Sequence, residues 1–336
     1  MTTSHDLEMR LRETAETLLR DRKVAFFLGY EKAALPFRAT PLFLTAAEDV
    51  ERLVWNPFCT ANLAVYLPRL YAAPAHARKG KEPPPTVGIV VKGCDTRAVA
   101  VLIQERQVPR EKLVLVGVAC QGMVDRRKAE RVLGPREALG AGEDAQGNVR
   151  VVVEDGTEIT LRREEIITDA CLECRHPPPA IHDVMLGPSV EVKDTGAARQ
   201  RTAEVESKAL DQRWAHLQET LSKCIRCNAC RQACPLCYCK DCLLDQTRPR
   251  WIGAGADISD VAIYHLTRAF HMAGRCAECG ACARVCPVGI DTRLLLRKLS
   301  QDVEALYGYR PGEMTDAAPL MSAFSLDDPQ EFLTEP

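Results

Sequence analysis

Two stretches of the chain place four cysteines at the same spacing. The first reads C-x2-C-x2-C-x3-C-P, and the second repeats this pattern. The eight cysteines are Cys224, Cys227, Cys230, Cys234, Cys276, Cys279, Cys282 and Cys286. Two copies of this spacing are typical of proteins that hold a pair of 4Fe–4S clusters. Such clusters take up and release single electrons, so the motif predicts electron transfer.

The order of cysteines within each motif predicts crossed ligand sets. The first three lie on one tight loop and can hold three corners of a cubane, whereas the fourth, before proline, serves the other cluster. The predicted first set is Cys224, Cys227, Cys230 and Cys286, and the predicted second set is Cys276, Cys279, Cys282 and Cys234. Structural zinc is the alternative, because it also binds four cysteines with C-x2-C spacing. In both motifs a third cysteine follows the C-x2-C pair after two more residues, and a fourth precedes proline. This repeated pattern favours 4Fe–4S clusters over zinc.

Two further cysteines follow predicted strands in the first half of the chain. Cys94 comes just after the apolar run Val87–Val91, and Cys120 comes just after Leu113–Val118. A helix predicted over Thr96–Gln107 would connect these strands as a βαβ unit, which makes them parallel. Both cysteines then emerge at the carboxyl edge of the sheet, where open α/β sheets bind ligands.

A C-x2-C loop at Cys171 and Cys174 completes a possible third set. Together with Cys94 and Cys120 it predicts a third 4Fe–4S cluster. Two alternatives stay open for these four residues. One is a zinc site, and the other is a group of buried thiols, because free cysteine is often a small core residue.

Four of the 16 cysteines remain after these assignments, namely Cys59, Cys237, Cys239 and Cys242. They suggest a fourth cluster, in which Cys59 from the first half joins the three that follow Cys234-Pro235. In one alternative Cys59 replaces Cys94 or Cys120 in the third cluster. In another the three clustered cysteines are free or bind another metal.

The hydrophobic pattern predicts which elements position these cysteines. Residues 5–22 have the spacing of an amphipathic helix, and residues 148–161 alternate as a hairpin with a turn at Asp155-Gly156. Further helices are predicted over Glu204–Lys223, Asp260–His271 and Thr292–Ser300. The expected fold class is an α/β N-terminal domain with a mixed or parallel sheet, followed by a mainly helical bis-cluster ferredoxin domain.

The chain is long enough for two domains. We expect an α/β domain with an iron–sulfur site over 1–190, a linker and helix over 191–222, a helical ferredoxin-like domain with two 4Fe–4S clusters over 223–300, and an extended tail over 301–336. A stiff loop is expected at 80–85, which reads Gly-Lys-Glu-Pro-Pro-Pro.

Composition narrows the functional classes further. The net charge of −2 provides no large field that would favour nucleic acid or an anionic membrane. The first 20 residues lack the apolar region of a secretory signal, and no run of 18 apolar residues predicts a membrane span. Clustered cysteines in a chain without an export signal indicate metal ligands rather than disulfides. We therefore expect a cytoplasmic protein.

The first half of the chain resembles a known family in three segments. These are Gly93-Cys94-Asp95, Gly117-Val118-Ala119-Cys120-Gln121-Gly122, and Cys171-x2-Cys174 followed by His182-Asp183-Val184-Met185-Leu186-Gly187. They resemble the beta-subunit family of deazaflavin-coenzyme-reducing hydrogenases and formate dehydrogenases, over roughly residues 20–190. The second half resembles the helical ferredoxin modules of heterodisulfide reductase and of formate dehydrogenase electron-transfer subunits. The resemblance implies a flavin, an iron–sulfur cluster beside it, and attachment to a larger oxidoreductase.

A flavin such as FAD would suit this chemistry, because flavins split a two-electron transfer into the single electrons that clusters carry. The predicted flavin-binding residues are Lys92, Gly93, Asp95, Arg97, Asn56 and Asn62. Gly93 allows close backbone approach, the following helix N-terminus favours phosphate, and Arg97 could bind a pyrophosphate. The alternative is a helix cap, a surface arginine and turn asparagines. No G-x-G-x-x-G fingerprint follows a strand, so an ordinary dinucleotide domain is not predicted.

The sequence thus predicts an electron-transfer subunit of a multisubunit oxidoreductase. It would pass electrons between a flavin and 4Fe–4S clusters to a partner such as a formate dehydrogenase, a hydrogenase or a heterodisulfide reductase. One alternative is a pure iron–sulfur relay without flavin. The other is a zinc-stabilised scaffold that docks partners.

Overall fold

The computed structural model describes residues 4–72, 84–188, 190, 196–313, 315–316 and 318–322. The predicted loop at 80–85 and the predicted tail at 301–336 lie partly outside these residues. The helices and strands are, in chain order, α1 Ser4–Arg20, β1 Phe26–Lys32, β2 Ala39–Leu44, α2 Leu67–Tyr71, β3 Val87–Val91, α3 Gly93–Gln104, β4 Leu113–Val118, α4 Arg126–Leu133, β5 Ala138–Glu143, β6 Val149–Val153, β7 Glu158–Leu161, α5 Arg163–Ile166, α6 Asp169–Leu172, β8 Val184–Leu186, α7 Ala197–Glu206, α8 Leu210–Leu221, α9 Ala229–Gln232, α10 Ile258–His271, α11 Ala281–Arg284 and α12 Arg293–Tyr307.

The contacts of the chain form two compact units. The first comprises Met1–Thr96 and Val108–Asp194, and the second comprises Arg97–Gln107 and Thr195–Pro336.

A five-stranded mixed sheet in the first unit has the order β2-β1-β3-β4-β8. Strands β1, β3, β4 and β8 run parallel, and β2 pairs antiparallel with β1 at the edge. All five residues of β3 are buried, as expected for a parallel strand covered on both faces. Strands β3 and β4 have the predicted bounds and pair from Val87↔Leu113 to Val91↔Gly117. The predicted α/β class of this part is confirmed.

A three-stranded antiparallel sheet, β5-β6-β7, also belongs to the first unit. Its β6–β7 pair is the predicted hairpin, with Gly156 at a φ of 83° in the turn. Val149, Val151 and Val153 of β6 are fully buried in a core that also contains Phe58 and Leu133. Strand β5 was not predicted, because its sequence Ala-Leu-Gly-Ala-Gly-Glu has two glycines and no apolar alternation.

The second unit is helical, as predicted. One prediction is wrong in detail: the helix expected over Glu204–Lys223 is divided into α7 and α8. The break lies at 207–209, where the Ala209 amide donates to the Gln212 side chain at 3.3 Å and starts the new helix. Helix α12 is longer than predicted and ends where Gly308 adopts a φ of 58°.

Helix α3 begins at Gly93, three residues before the predicted start at Thr96. Glycine is required there by packing: a Cβ on Gly93 would lie 1.7 Å from the carbonyl oxygen of His176. We expect Gly93→Ala to destabilise the first unit by about 3 kcal/mol, because the backbone at Gly93 or at His176 would have to move to make room for the methyl group. Chemical denaturation measures this change.

The control for this prediction is Gly142→Ala, since a Cβ at the exposed Gly142 meets nothing within 4 Å. It should change the free energy of unfolding by less than about 0.5 kcal/mol. Equal losses from the two variants would show that the close approach at Gly93 does not limit stability.

Candidate metal centres

The two cysteine motifs fold into loops with the same backbone geometry. Arg226 and Asn228 adopt φ angles of 53° and 60°, and Glu278 and Gly280 at the corresponding positions adopt 53° and 69°. A positive φ is uncommon for residues other than glycine. Its recurrence at equivalent positions indicates that both motifs adopt the same loop conformation. Each loop leads into a one-turn helix, α9 or α11, that carries the third cysteine.

Backbone amides of these loops donate to cysteine sulfurs. The Arg226 amide lies 3.4 Å from Cys224 Sγ, and the Glu278 amide lies 3.4 Å from Cys276 Sγ. After the second motif, the Ile290 amide donates to Cys286 Sγ at 3.3 Å. Hydrogen bonds to the ligating sulfurs are one of the features that set the reduction potential of an iron–sulfur cluster.

The four cysteines of the predicted second set line one cavity in the second unit. They are Cys234, Cys276, Cys279 and Cys282. Burial raises the pKa of Cys276 well above its ordinary value, and burial also raises the pKa of Cys279 to about 11. Metal binding must therefore displace protons here, because the thiolate is the ligand. The fourth cysteine of the first motif thus meets the first three of the second, as the crossed pairing predicts.

The predicted first set is also close-packed. Burial raises the pKa of Cys224, and the neighbouring Cys286 and Cys227 add to this rise. Cys224 and Cys286 pack in one hydrophobic cluster with Leu221 and Val261. Cys227 is exposed, whereas Cys230 is buried. The fourth cysteine of the second motif therefore lies beside the first motif.

Helix α10 places three polar side chains beside the cysteines. Tyr264 Oη lies 3.7 Å from Cys230 Sγ, and His265 Nε2 lies 3.4 Å from Cys224 Sγ. Arg268 donates to the Cys230 carbonyl at 3.2 Å. Burial, with Arg268 and Arg226 nearby, lowers the pKa of His265 to about 4, so its imidazole is neutral at pH 7. Neither His265 nor Arg268 was predicted to lie beside the cysteines. The helix was predicted, but its partners 34–41 residues away in sequence were not.

Three buried arginines surround the cavity of the second set, namely Arg268, Arg293 and Arg297. Arg293 is paired with the Asp291 carboxylate through contacts of 2.7 and 2.6 Å. A cubane bound by four thiolates is anionic, and a buried anion requires nearby cations. The cysteines and arginines that line this cavity therefore fit a 4Fe–4S cluster. No three Cys, His, Asp or Glu side chains in the described part of the chain are grouped closely enough to hold a single metal ion.

Three of the four cysteines of the predicted third set lie close together in the first unit. Burial, together with the neighbouring Cys171 and Cys174, raises the pKa of Cys120 to about 12, and Lys92 opposes this rise. The amides of Gly122 and Met123 donate to Cys120 Sγ and Cys171 Sγ at 3.3 and 3.4 Å. The loop after Cys174 crosses the carboxyl ends of β3 and β4, where the Cys120 amide donates to the Pro177 carbonyl at 3.1 Å.

Cys94 lies one residue after Gly93, which packs against the carbonyl of His176 in this same loop. The Cys94 sulfur is 4.0 Å from Asp95 Oδ1. The third cluster, with Cys94, Cys120, Cys171 and Cys174 as its ligands, stays a prediction.

The surplus cysteines are distributed over both units. Cys59 is buried in the first unit, where its sulfur lies 3.7 Å from the Val54 carbonyl and 3.7 Å from Asn56 Oδ1. In the second unit, Cys237 contacts Cys234 and lies 3.9 Å from the sulfur of Met272. Cys239 is exposed and Cys242 is half-buried. The fourth cluster stays a prediction.

Lys92 and Asp95, two of the predicted flavin residues, form a buried ion pair. Lys92 Nζ is 2.9 Å from Asp95 Oδ2, with 2% and 0% of the two side chains exposed. The ammonium also donates to the Tyr30 hydroxyl and, at 3.0 Å, to the Ala61 carbonyl. Burial opposes the charge of Lys92, but Asp95, Tyr30 and Cys94 outweigh it and raise the pKa of Lys92 well above its ordinary value.

This pair gives a large expected effect on stability. Lys92→Met would leave the Asp95 carboxylate buried without its cation and should cost about 3–5 kcal/mol of unfolding free energy at pH 7. Because the folded pKa of Lys92 is raised, this contribution is complete below the unfolded pKa of about 10.4 and is lost only as the pH rises through the folded value.

Chemical denaturation of three variants checks this expectation. Adding Asp95→Asn to Lys92→Met should recover part of the loss, because no buried charge remains. Lys298→Met removes an exposed lysine that also has acidic partners, and it should cost less than about 1 kcal/mol. A loss from Lys92→Met no larger than that from Lys298→Met would contradict the role of the pair.

The other predicted flavin residues are also engaged by the chain itself. Asn62 accepts from the Ala64 amide at 3.1 Å and donates to the Cys94 carbonyl at 3.4 Å. Asn56 accepts from the Phe58 amide at 2.9 Å. In the second unit, Arg97 is buried and donates to the Pro311 carbonyl at 3.0 Å and to Glu278 at 3.2 Å. A flavin-binding role for these six residues stays a prediction.

Comparisons with known proteins agree with the cysteine motifs. Residues 219–290 match the 4Fe-4S dicluster domain family. The F420-dependent formate dehydrogenase 1 subunit beta of Methanococcus maripaludis is 22% identical over 353 residues, which is 88% of this chain and 88% of that protein. The F420-dependent formate dehydrogenase subunit beta of Methanocaldococcus jannaschii is 29% identical over 102 residues, covering 30% of this chain and 26% of that protein.

A solved chain of the F420-reducing NiFe hydrogenase complex from Methanosarcina barkeri is 13% identical, with a TM-score of 0.38, over 52% of this chain and 64% of that one. Among the described residues, no helix combines the length and apolarity needed to span a bilayer. The predicted resemblance is confirmed: the chain is similar over most of its length to a formate dehydrogenase beta subunit, and it carries a 4Fe–4S dicluster domain at residues 219–290.

Proposed function

We propose that this chain is the electron-transfer subunit of an oxidoreductase complex. It moves electrons between a two-electron carrier and a catalytic partner through 4Fe–4S clusters bound by the two crossed cysteine sets. The observation that carries this proposal is the cavity lined by Cys234 from one motif and by Cys276, Cys279 and Cys282 from the other. A cubane takes one thiolate at each of its four irons, so ligands spaced around a cavity suit it.

The surroundings of these cysteines support electron transfer rather than a purely structural role. Amides and the side chains of Tyr264 and His265 lie at hydrogen-bond distance from cysteine sulfurs. Buried arginines beside the second set offset the negative charge of a bound cluster. Hydrogen bonds to the sulfurs and nearby positive charge both stabilise the reduced form of a cluster. Proteins use these features to set the reduction potential.

The carrier and the partner are proposed from the relatives. Two relatives are named as beta subunits of F420-dependent formate dehydrogenases, and one of them aligns with 88% of this chain. We propose a deazaflavin coenzyme as the two-electron carrier and a formate dehydrogenase-type catalytic subunit as the partner, in the cytoplasm. A hydrogenase or a heterodisulfide reductase-like unit would use the same electron route.

FAD in the first unit is the expected link between a two-electron carrier and the clusters, because flavins exchange electrons singly or in pairs. The internal contacts of Lys92, Asp95 and Asn62 favour the second candidate function, a relay that holds clusters without flavin. Both functions use the two clusters of the second unit. They differ in the electron donor to these clusters, which is a bound flavin in the first function and an external one-electron donor in the second.

One experiment separates these functions. The full chain, purified without air, is incubated with FAD, freed of unbound FAD by gel filtration and mixed with reduced coenzyme F420 or with dithionite, and cluster absorbance is followed. Bleaching by both reductants, with flavin released by acid, supports the flavin-linked function. Bleaching by dithionite alone, without released flavin, supports the relay. Zinc in place of iron, with no visible absorbance, would overturn both and leave a zinc-stabilised scaffold.

A further inference from the structure

Arg268 lies beside cysteines of both predicted cluster sets. It projects from α10, with 3% of the residue exposed, and donates to the carbonyl of Cys230 at 3.2 Å. Cys230 belongs to the first set. The same arginine lines the cavity formed by the second set, next to Cys234 and Cys282. A single guanidinium therefore borders both cluster sites.

One N–H donor of this guanidinium has no hydrogen-bond acceptor among the described residues. Its Nε atom is buried and has no hydrogen-bond partner in the structure. Burial opposes its charge, but the surrounding Cys282, Cys234, Cys237 and Cys230 outweigh this and raise the pKa of Arg268. Arginine remains protonated in proteins, so a full positive charge sits among these cysteines. A buried donor and charge of this kind require an anion nearby.

We propose that Arg268 is the counter-cation shared by the two clusters and that its positive charge raises the reduction potentials of both. This inference rests on the proposed function, in which the eight motif cysteines hold two 4Fe–4S clusters. On reduction each cluster accepts one electron from the reductant and becomes more negative, and no covalent bond forms or breaks. A fixed cation in a low-dielectric interior stabilises the reduced form more than the oxidised form, which raises the potential.

The other two cavity arginines provide a matched comparison. Arg297 is buried and lines the second cavity. Arg293, which is equally buried, is neutralised by its carboxylate partner Asp291. Because Arg297 lines the second cavity, Arg297→Gln should shift the potential of the second cluster more than that of the first. Arg268→Gln should shift both, and this paired effect distinguishes a shared counter-ion from a local one.

The test is a dithionite titration of the full chain, purified without air and monitored by electron paramagnetic resonance, with iron and sulfide measured on each sample. Selective loss of the first cluster in Cys227→Ala and of the second in Cys279→Ala assigns the two signals. Arg268→Gln is expected to move both midpoint potentials to more negative values. Arg268→Lys, which keeps the charge, should recover most of the shift.

Unchanged potentials in Arg268→Gln, or a shift of one cluster alone, would overturn the shared role. If Arg268→Gln fails to hold iron, Arg268→Lys decides. Iron retention with both potentials near those of the unmodified chain supports the proposal, whereas loss of iron in the lysine variant assigns Arg268 a role in shape rather than charge. Failure of the proposed function is seen separately, as an absence of iron from the unmodified chain.

Discussion

Alanine at both Cys234 and Cys227 is expected to remove both clusters of the second unit, whereas alanine at both Cys234 and Cys279 should remove only one. The reason is the crossed arrangement, in which Cys234 shares a cavity with Cys279 while Cys227 lies beside Cys224 of the other set. Cys234→Ala and Cys279→Ala then damage the same cluster, so their effects do not add. Cys234→Ala and Cys227→Ala damage different clusters, so their effects add.

Iron and acid-labile sulfide per chain measure this difference. Relative to the unmodified protein, the Cys234 and Cys279 pair should lose about four iron atoms and the Cys234 and Cys227 pair about eight, since each cubane holds four. Cys286 provides the reciprocal pairing, in which Cys286→Ala adds to Cys279→Ala but not to Cys227→Ala. The reversed pattern, with losses that add only within crossed sets, would mean that each motif supplies all four ligands of its own cluster.

The second large effect is expected in the first unit. Alanine at Cys171 or Cys174 should remove the third cluster, with a loss of about four iron atoms, and should leave the dicluster signals intact. The structure brings these cysteines close to Cys120, whose pKa is raised to about 12 by burial and by these two cysteine neighbours.

Cys59→Ala is the control, because the Cys59 sulfur already contacts the Val54 carbonyl and Asn56. It should keep the iron of the third cluster. Loss of the third-cluster iron from Cys59→Ala but not from Cys94→Ala would mean that Cys59 replaces Cys94 as a ligand. Full iron retention in Cys171→Ala and Cys174→Ala would exclude these two as cluster ligands.

The elements that carry the cysteines were predictable where local pattern determines structure. Strands β3 and β4 are uninterrupted apolar runs bounded by polar or turn residues, and both have the predicted bounds. Helix α10 was predicted to within two residues from its apolar spacing. Strand β8 was not predicted, because three residues are too few to show a period, and its pairing with β4 depends on contacts distant in sequence.

The surroundings of the cysteines were less predictable than the cysteines themselves. Ligand spacing is a local property, so the eight motif residues could be identified from the sequence. The contacts of Arg268, His265 and Tyr264 with these residues depend on how α10 packs onto the loops, which no local pattern encodes. The predicted flavin residues show the same limit. A glycine, a lysine and an aspartate after a strand suggest a ligand site, which stays a prediction. Their contacts were not predictable: Lys92 pairs with Asp95, and Gly93 packs against the His176 carbonyl.

Metal and sulfide content of the full chain, purified without air, tests most directly whether its thiolates hold iron–sulfur cubanes. Two clusters in the second unit predict about eight iron atoms and eight sulfides per chain, the third raises both to about twelve, and a fourth to about sixteen. Colourless protein that contains zinc, or free thiols without iron, would contradict the assignment of the cysteines and the electron-transfer function with it.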